Sequence, residues 1–295
     1  MRVLIIGAGL GGLACAIACR KEGFEVVVLE RASKIVPIGA GIQVPPNGTR
    51  VARQLGYLDK MLKCGVVIDA MELRRYADGS PLHTFFSKTS DINYGDPWMV
   101  MHRADYHAVL WQTCQSLGVD LCLDMEVESV DFEKNIVYLE DGDDIGGDII
   151  IGADGDSCHP SLPYQAQGGA MAVEDGAVLG KLLGLLKTSA GENTKESVPE
   201  ILKLYESLRK SRTTLNVQGS TSNQKWYQVP DGPEQEARDA ELTGVGQREG
   251  LAPTGWRWID KDYQMDLLGR DLVAEAVEAF KEWENKRARG LTDAA

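Results

Sequence analysis

Apolar residues recur along this chain in two rhythms, one of strands and one of helices. Residues 3–6, "VLII", form a short aliphatic run. From Leu10 to Cys19 small and apolar residues then follow helical spacing, up to Gly23 where a helix C-cap belongs. "EVVVLE" at residues 25–30 is a second strand, closing a strand–helix–strand unit of about 30 residues. Further on, the pattern predicts an amphipathic helix carrying Val51, Leu55, Leu58 and Leu62 and a hairpin over 66–86 about the turn Ala77-Asp78-Gly79-Ser80. A helix from about Ala104 to Leu117 follows. "VDLCL", "EVESVDF" and "NIVYLEDG" read as a β-meander, and the apolar "IIIG" of 149–152 reads as a buried parallel strand.

The C-terminal part is less periodic. "GAMAVEDGAVLGKLL" from Gly169 is helical, residues 188–196 read as a linker, and a helix at about 197–213 places Ile201, Leu204, Tyr205 and Leu208 on one face. Arg209, Lys210 and Arg212 cluster at its expected end, where cations suit the helix dipole. Residues 218–256, rich in glycine, proline and charge, are expected to have low order. Within and just after them Trp256, Trp258 and Tyr263 read as packing residues more readily than as a ligand platform. A charged amphipathic helix at about 272–287 suits a domain contact or a homodimer. The organisation expected is one α/β domain over 1–187 and a C-terminal helical extension over 188–295.

Composition narrows the classes of function. The chain has 295 residues, 43% of them hydrophobic, enough for a well-buried core. A formal charge of −13 and a pI near 4.8 argue against a nucleic-acid partner, which needs a basic surface. The six cysteines form no CxxC pair, which suits a reducing, cytoplasmic setting. The four histidines lack HxxxH or HExxH spacing, so no metal site is expected. No run approaches the roughly 18 apolar residues of a membrane span. The N-terminal "VLIIGAGLGGLACAIAC" resembles a secretory leader in charge and apolarity, but its glycines have a better explanation.

Gly7, Gly9 and Gly12 form GxGxxG between the first strand and the first helix. In that position the first glycine permits the tight turn, the second admits a pyrophosphate and the third lets helix and strand lie close. The phosphates then meet free N–H groups at the helix N-terminus. Glu30, at the end of the second strand, is placed to accept hydrogen bonds from ribose hydroxyls. Spacing alone leaves NAD and FAD both open, and Arg31 beside Glu30 leaves a 2′-phosphate open too. The loop with Gly39, Gly41 and Gln43 offers backbone and one amide to a flat ring, or is an ordinary surface turn. Arg103, just before its helix, can reach a phosphate or remain solvated. Asp154 lies at the carboxyl end of the "IIIG" strand, where such folds bind ligands. Cys15 and Cys19, one helical turn apart, read as core residues.

Taken together, "GAGLGG", "GAGIQVPPNGTRVARQLG", "MHRADYHAVL", "GADG" and "GDSCHPSLPYQAQGGAMAVEDGA" resemble the flavin-dependent aromatic hydroxylases, most closely fungal salicylate hydroxylase-like monooxygenases. The resemblance implies a Rossmann-like FAD-binding domain with a parallel central sheet and a β-meander, FAD as cofactor, NAD(P)H as reductant, and a small aromatic substrate with dioxygen. It implies that Gly7, Gly9, Gly12 and Glu30, beside Arg31, hold the adenosine and pyrophosphate, and that Arg103 pairs with the phosphates. Asp156 would bind the ribitol chain, with Asp154 and Gly155 beside it as cofactor-binding residues and Gly41 to Gln43 bordering the isoalloxazine. Pro163 would stand near the flavin peroxide position, and Gly168 and Gly169 would open a helix whose dipole favours the reduced ring.

One departure matters. The family separates "GADG" from its "GD" motif by most of a substrate domain, whereas here Gly155 ends the first and begins the second. What remains of that domain is the segment 66–98, a hairpin and its loop. Local strain is expected at the fused loop, with Gly155 supplying φ freedom. The thinned cover favours release of hydrogen peroxide over hydroxylation, since oriented substrate and a dry site supply much of the rate. No general base can be named, because His83 and His159 read as structural. The leading function is therefore an FAD- and NAD(P)H-dependent monooxygenase of a small phenolic acid, impaired or uncoupled. A non-catalytic FAD-binding remnant and an NAD(P)-dependent dehydrogenase are the alternatives.

Overall fold

The computed structural model describes residues 1–36, 39–85, 90–155, 160–190, 194–245 and 260–290. Its centre is a parallel sheet of four strands. β1 (Arg2–Ile6) lies between β12 (Ile149–Gly152) and β2 (Glu25–Glu30), and β8 (Asp120–Leu123) adds to the far side of β2. Strand alternation sorts the side chains. Val3, Ile5, Val26 and Val28 enter the main core, while Leu4, Val27 and Leu29 enter a smaller one with Val137 and Leu139. The main core is closed by helices α1 (Leu10–Lys21), α5 (Arg103–Ser116) and α6 (Gly168–Ala190), and the smaller by the antiparallel sheet of β9 (Val127–Asp131), β10 (Ile136–Leu139) and β11 (Asp144–Gly146). This α/β architecture with a parallel sheet is the one expected.

Between β2 and α5 the chain runs β3 (Gly41–Val44), α2 (Pro46–Leu55), α3 (Leu58–Cys64), β4 (Val66–Val67), β5 (Met71–Arg74), β6 (Pro81–Phe85), α4 (Ser90–Tyr94) and β7 (Met99–His102). After α6 come α7 (Thr194–Tyr227), α8 (Pro233–Val245), α9 (Lys261–Gln264), a π-helical turn at Met265–Gly269 and α10 (Leu272–Ala288).

Several elements differ from the sequence expectation. The single helix through Val51 and Leu62 is two, broken where Gly56 adopts φ +82°. "VDLCL" joins the central sheet, and the third meander strand is the three-residue β11. The helix expected to end near 213 continues to Tyr227, and α8 occupies part of the stretch expected to have low order. The reason is chemical. Beyond Arg212 the buried face of α7 is built from Thr213, Asn216, Ser220 and Asn223, so a search for apolar residues at helical spacing finds little there. Arg209 and Arg212 accordingly do not cap a helix end; both are buried in its middle.

The hairpin β5–β6 is covered by this C-terminal part. Leu82, Trp98, Leu242, Leu267 and Leu268 form a second buried cluster, flanked by Met71, Leu73, Trp226, Tyr227 and Tyr263. Tyr263 is thus a packing residue; Trp256 and Trp258 lie outside the described residues. Buried Asp96 pairs with Arg50 at 3.1 Å and Arg53 at 2.7 Å, and Arg50 also donates to the backbone carbonyls of Leu268 and Arg270. These bonds tie α2 to the chain's last elements.

Candidate functional site

The turn from β1 into α1 is shaped by its glycines. Gly7 adopts φ +103°, and a Cβ there would stand 2.8 Å from the carbonyl oxygen of Ala153. At Gly12 a Cβ would stand 2.1 Å from the carbonyl oxygen of Gly7, so only glycine lets α1 begin against the strand. Gly9 is different, since a Cβ there would meet nothing nearer than 4.0 Å. It is the N-cap of α1 and offers no side chain to cap the helix, so its first N–H groups face open space.

Two clefts meet at this turn. The smaller, about 320 Å³, is bounded by Gly7, Gly9, Glu30, Arg31, Met125 to Val127, Ala153 and Asp154. The larger, about 640 Å³, shares Gly9, Ala153 and Asp154 and continues past Ile42, Arg103 and Gly155 to Ser161, Gly168 and Gly169. Both volumes fall within the range of small-molecule and cofactor sites. From Glu30 the lining residues lead past the glycine turn to the N-terminus of α6, and the larger cleft also extends between α1 and α6 past Cys15, Asp175 and Leu179. Residues present here fit a dinucleotide: a carboxylate at the ribose end, a bare helix N-terminus midway, and a second helix N-terminus beyond it.

The glutamate is already partly engaged. Glu30 Oε2 accepts from the Ala8 N–H at 2.9 Å and Oε1 from the Ala32 N–H at 3.0 Å, leaving one acceptor position on each oxygen. Arg103 donates its backbone N–H to the Ala40 carbonyl, and Gly39 packs against its side chain. Of the loop residues expected beside a ring, Gly41 and Gln43 are exposed and lie on the side of β3 opposite Ile42, the residue that lines the cleft. Pro163 is exposed and borders neither cleft, while Ser161 borders the larger. Asp156 and His159 lie outside the described residues. The strain expected at the fused loop falls on residues 156–159, outside the described residues; further along, Ala166 adopts φ +56°. His83, on β6, is held below its ordinary value by burial.

A buried network under the larger cleft was not read from the sequence. Glu174 of α6 receives Arg212 at 2.8 Å, Arg209 at 3.1 Å and the Asn47 amide at 2.8 Å; Asn47 also donates to Gln167 at 2.9 Å. Burial raises the Glu174 carboxyl, but Arg212 and Arg209 together pull harder and leave it below its ordinary value. Arg209 also binds Asp175, a cleft residue. The network therefore locks α7 onto α6 and fixes Gln167, the residue before Gly168. Among the described residues no group of His, Cys, Asp or Glu is placed to hold a metal, and no helix is long and apolar enough to cross a membrane.

A family described as an FAD binding domain matches residues 1–156. The FAD-dependent monooxygenase OpS4 of Beauveria bassiana is 26% identical over 423 aligned positions, covering 95% of this chain and 97% of the relative. That alignment is longer than the chain, so the relative carries more than a hundred positions with no counterpart here. The 3-amino-4-hydroxybenzoate 2-monooxygenase of Streptomyces cremeus is 38% identical over 52% of this chain, which spans only 40% of that enzyme's length. Among solved structures, FqzB has a TM-score of 0.75 at 18% identity, over 100% of this chain and 95% of its own. An HpxO variant from Klebsiella pneumoniae complexed with FAD has a TM-score of 0.74 at 18% identity, over 91% and 99%. The chain belongs to the family described as an FAD binding domain, and the relatives it resembles are FAD-dependent and aromatic monooxygenases.

Proposed function

We propose that this chain is an FAD- and NAD(P)H-dependent oxidoreductase whose aromatic partner is a small phenolic acid, and that it hydroxylates that partner inefficiently. The observation that carries the reading is the joined cleft from Glu30 to the N-terminus of α6. In it Glu30 accepts from the ribose hydroxyls with its remaining lone pairs, and the N–H groups at the start of α1 meet the pyrophosphate. Arg103 supplies a positive charge to the same phosphates. The dipole of the 23-residue α6 favours negative charge at Gly168 and Gly169. FAD, when bound, supplies the hydride acceptance and oxygen chemistry.

What this chain adds to that chemistry is orientation and exclusion of water, and here it is short. The hairpin β5–β6 and the C-terminal helices form a compact second core, whose side chains are spent on packing one another. A complete turnover converts an aromatic C–H, dioxygen, NAD(P)H and a proton into the phenol, NAD(P)⁺ and water. Without enclosure the same NAD(P)H, dioxygen and proton yield NAD(P)⁺ and hydrogen peroxide.

The purified chain, given FAD and freed of excess, is expected to keep its flavin absorption bands. Consumption of NAD(P)H with phenolic acids is expected to appear mostly as peroxide in a peroxidase-coupled assay. Hydroxylated product equal to the NAD(P)H consumed overturns the inefficient half of the reading. A colourless protein overturns the whole and leaves a non-catalytic remnant.

A further inference from the structure

The glycine-rich turn is clamped on both sides of one residue. Ala8, between Gly7 and Gly9, donates its N–H to Glu30 Oε2 at 2.9 Å. Its carbonyl oxygen lies 2.7 Å from Nε2 of His107, on the second turn of α5. A carbonyl oxygen can only accept, so Nε2 carries the proton. The His107 ring is stacked on Trp111, with centroids 6.2 Å apart and planes 21° from parallel, which holds its direction.

The consequence falls on the next peptide. Among the described residues no peptide bond is cis, so the Gly9 N–H points opposite to the Ala8 C=O, away from α5. Gly9 borders both clefts, and His107 borders neither. We infer that His107 is a positioning residue: by holding the Ala8 carbonyl it fixes the rotation of the Ala8–Gly9 peptide, so that the Gly9 N–H is presented to a pyrophosphate. The inference rests on the reading that this cleft takes the pyrophosphate of FAD. Glu30 holds the preceding peptide, and the two bonds together leave the turn one orientation.

The chemistry of the imidazole supplies the test. A glutamine amide nitrogen stands about as far along the side chain as Nε2, whereas an asparagine amide stops at the position of Nδ1. His107→Gln therefore keeps the donor, while His107→Asn and His107→Leu lose it. Binding of FAD, ADP and adenosine to the full-length wild-type and variant chains is measured by calorimetry, with a thermal melt for each.

His107→Asn and His107→Leu are expected to bind FAD and ADP about tenfold more weakly, the size of one lost hydrogen bond, with adenosine affinity unchanged. His107→Gln is expected to bind all three like wild type. If His107→Leu does not fold, the contrast between the two amide variants still decides the matter. Wild-type affinity for FAD in His107→Asn overturns the role, as does an equal loss for adenosine or a glutamine variant that behaves like the asparagine one. A wild-type chain that binds neither FAD nor ADP overturns the cofactor reading itself and this role with it.

Discussion

Gly12→Ala isolates the closest approach in the cofactor cleft. The new Cβ would stand 2.1 Å from the Gly7 carbonyl oxygen and 3.2 Å from the Ala153 Cβ. Carbon–oxygen contacts settle near 3.3 Å, so the start of α1 must withdraw by about 1 Å. It has little room to do so, because Gly11 on the other side already faces Ala172 closely enough that a Cβ there would meet it at 3.2 Å. Overpacking of this kind costs about 2 kcal/mol. At roughly 2–4 °C per kcal/mol for a chain of about this size, the melting temperature should fall by roughly 4–8 °C. Retreat of the helix also carries its N–H groups away from the pyrophosphate, so FAD affinity should drop about tenfold or more. Gly9→Ala is the matched control. Its Cβ meets nothing within 4 Å except the Ala153 oxygen at that limit, so it should melt close to wild type while still weakening FAD, because the methyl stands in the cleft. Calorimetric melts with FAD titration by fluorescence quenching measure both. A Gly12→Ala chain with wild-type melting temperature and wild-type FAD affinity would refute the placement of α1 against β1.

Glu30→Ala removes the acceptor for Ala8 and Ala32 and the proposed ribose contact; FAD affinity should fall about tenfold in the same titration, and unchanged affinity removes the assignment. Glu174→Gln leaves Arg212 without its counter-charge in a buried site and should cost about 3 kcal/mol in urea unfolding at neutral pH. Because the Glu174 carboxyl is held below its ordinary 4.5, its contribution is fully present above that value and is lost as pH falls further. Urea midpoints for wild type should therefore decline below about pH 4.5 more steeply than those of Glu174→Gln. Asp156→Ala, from the motif shared through Gly155, should purify without flavin colour; a yellow variant shows that this carboxylate does not hold the ribitol.

The parts of the fold legible in the sequence were those whose burial is apolar and periodic. The unit β1–α1–β2 combines aliphatic strands with three glycines at fixed offsets, and Glu30 and the turn residues follow from it. Continuity was harder to read. Leu58 and Leu62 keep the helical phase of Val51 and Leu55, so nothing but the left-handed Gly56 marks the break between α2 and α3. The polar interior of α7 hides a 34-residue helix from any hydrophobic count. "VDLCL" announces a strand, but its partner, β2, is a tertiary choice. At the site, Met125 to Val127 and His107 carry no local signal at all; they matter because α5 and the chain entering β9 pass beside the glycine turn.

The second core has a consequence for how the molecule is made. Leu82 and the hairpin around it are synthesised long before Leu242, Leu267 and Leu268, the residues that cover them. β1 must likewise await β12, and the Arg2 N–H its acceptor Asp148, at a separation of 146 residues. At a translation rate of about 5–20 residues per second, the hairpin leaves the ribosome on the order of ten to thirty seconds ahead of its cover. For that interval an uncovered two-stranded ribbon with apolar residues on one side is open to pairing with neighbouring chains. Yield in a cell should accordingly depend on chaperone capacity and growth temperature more than the stability of the finished fold would suggest.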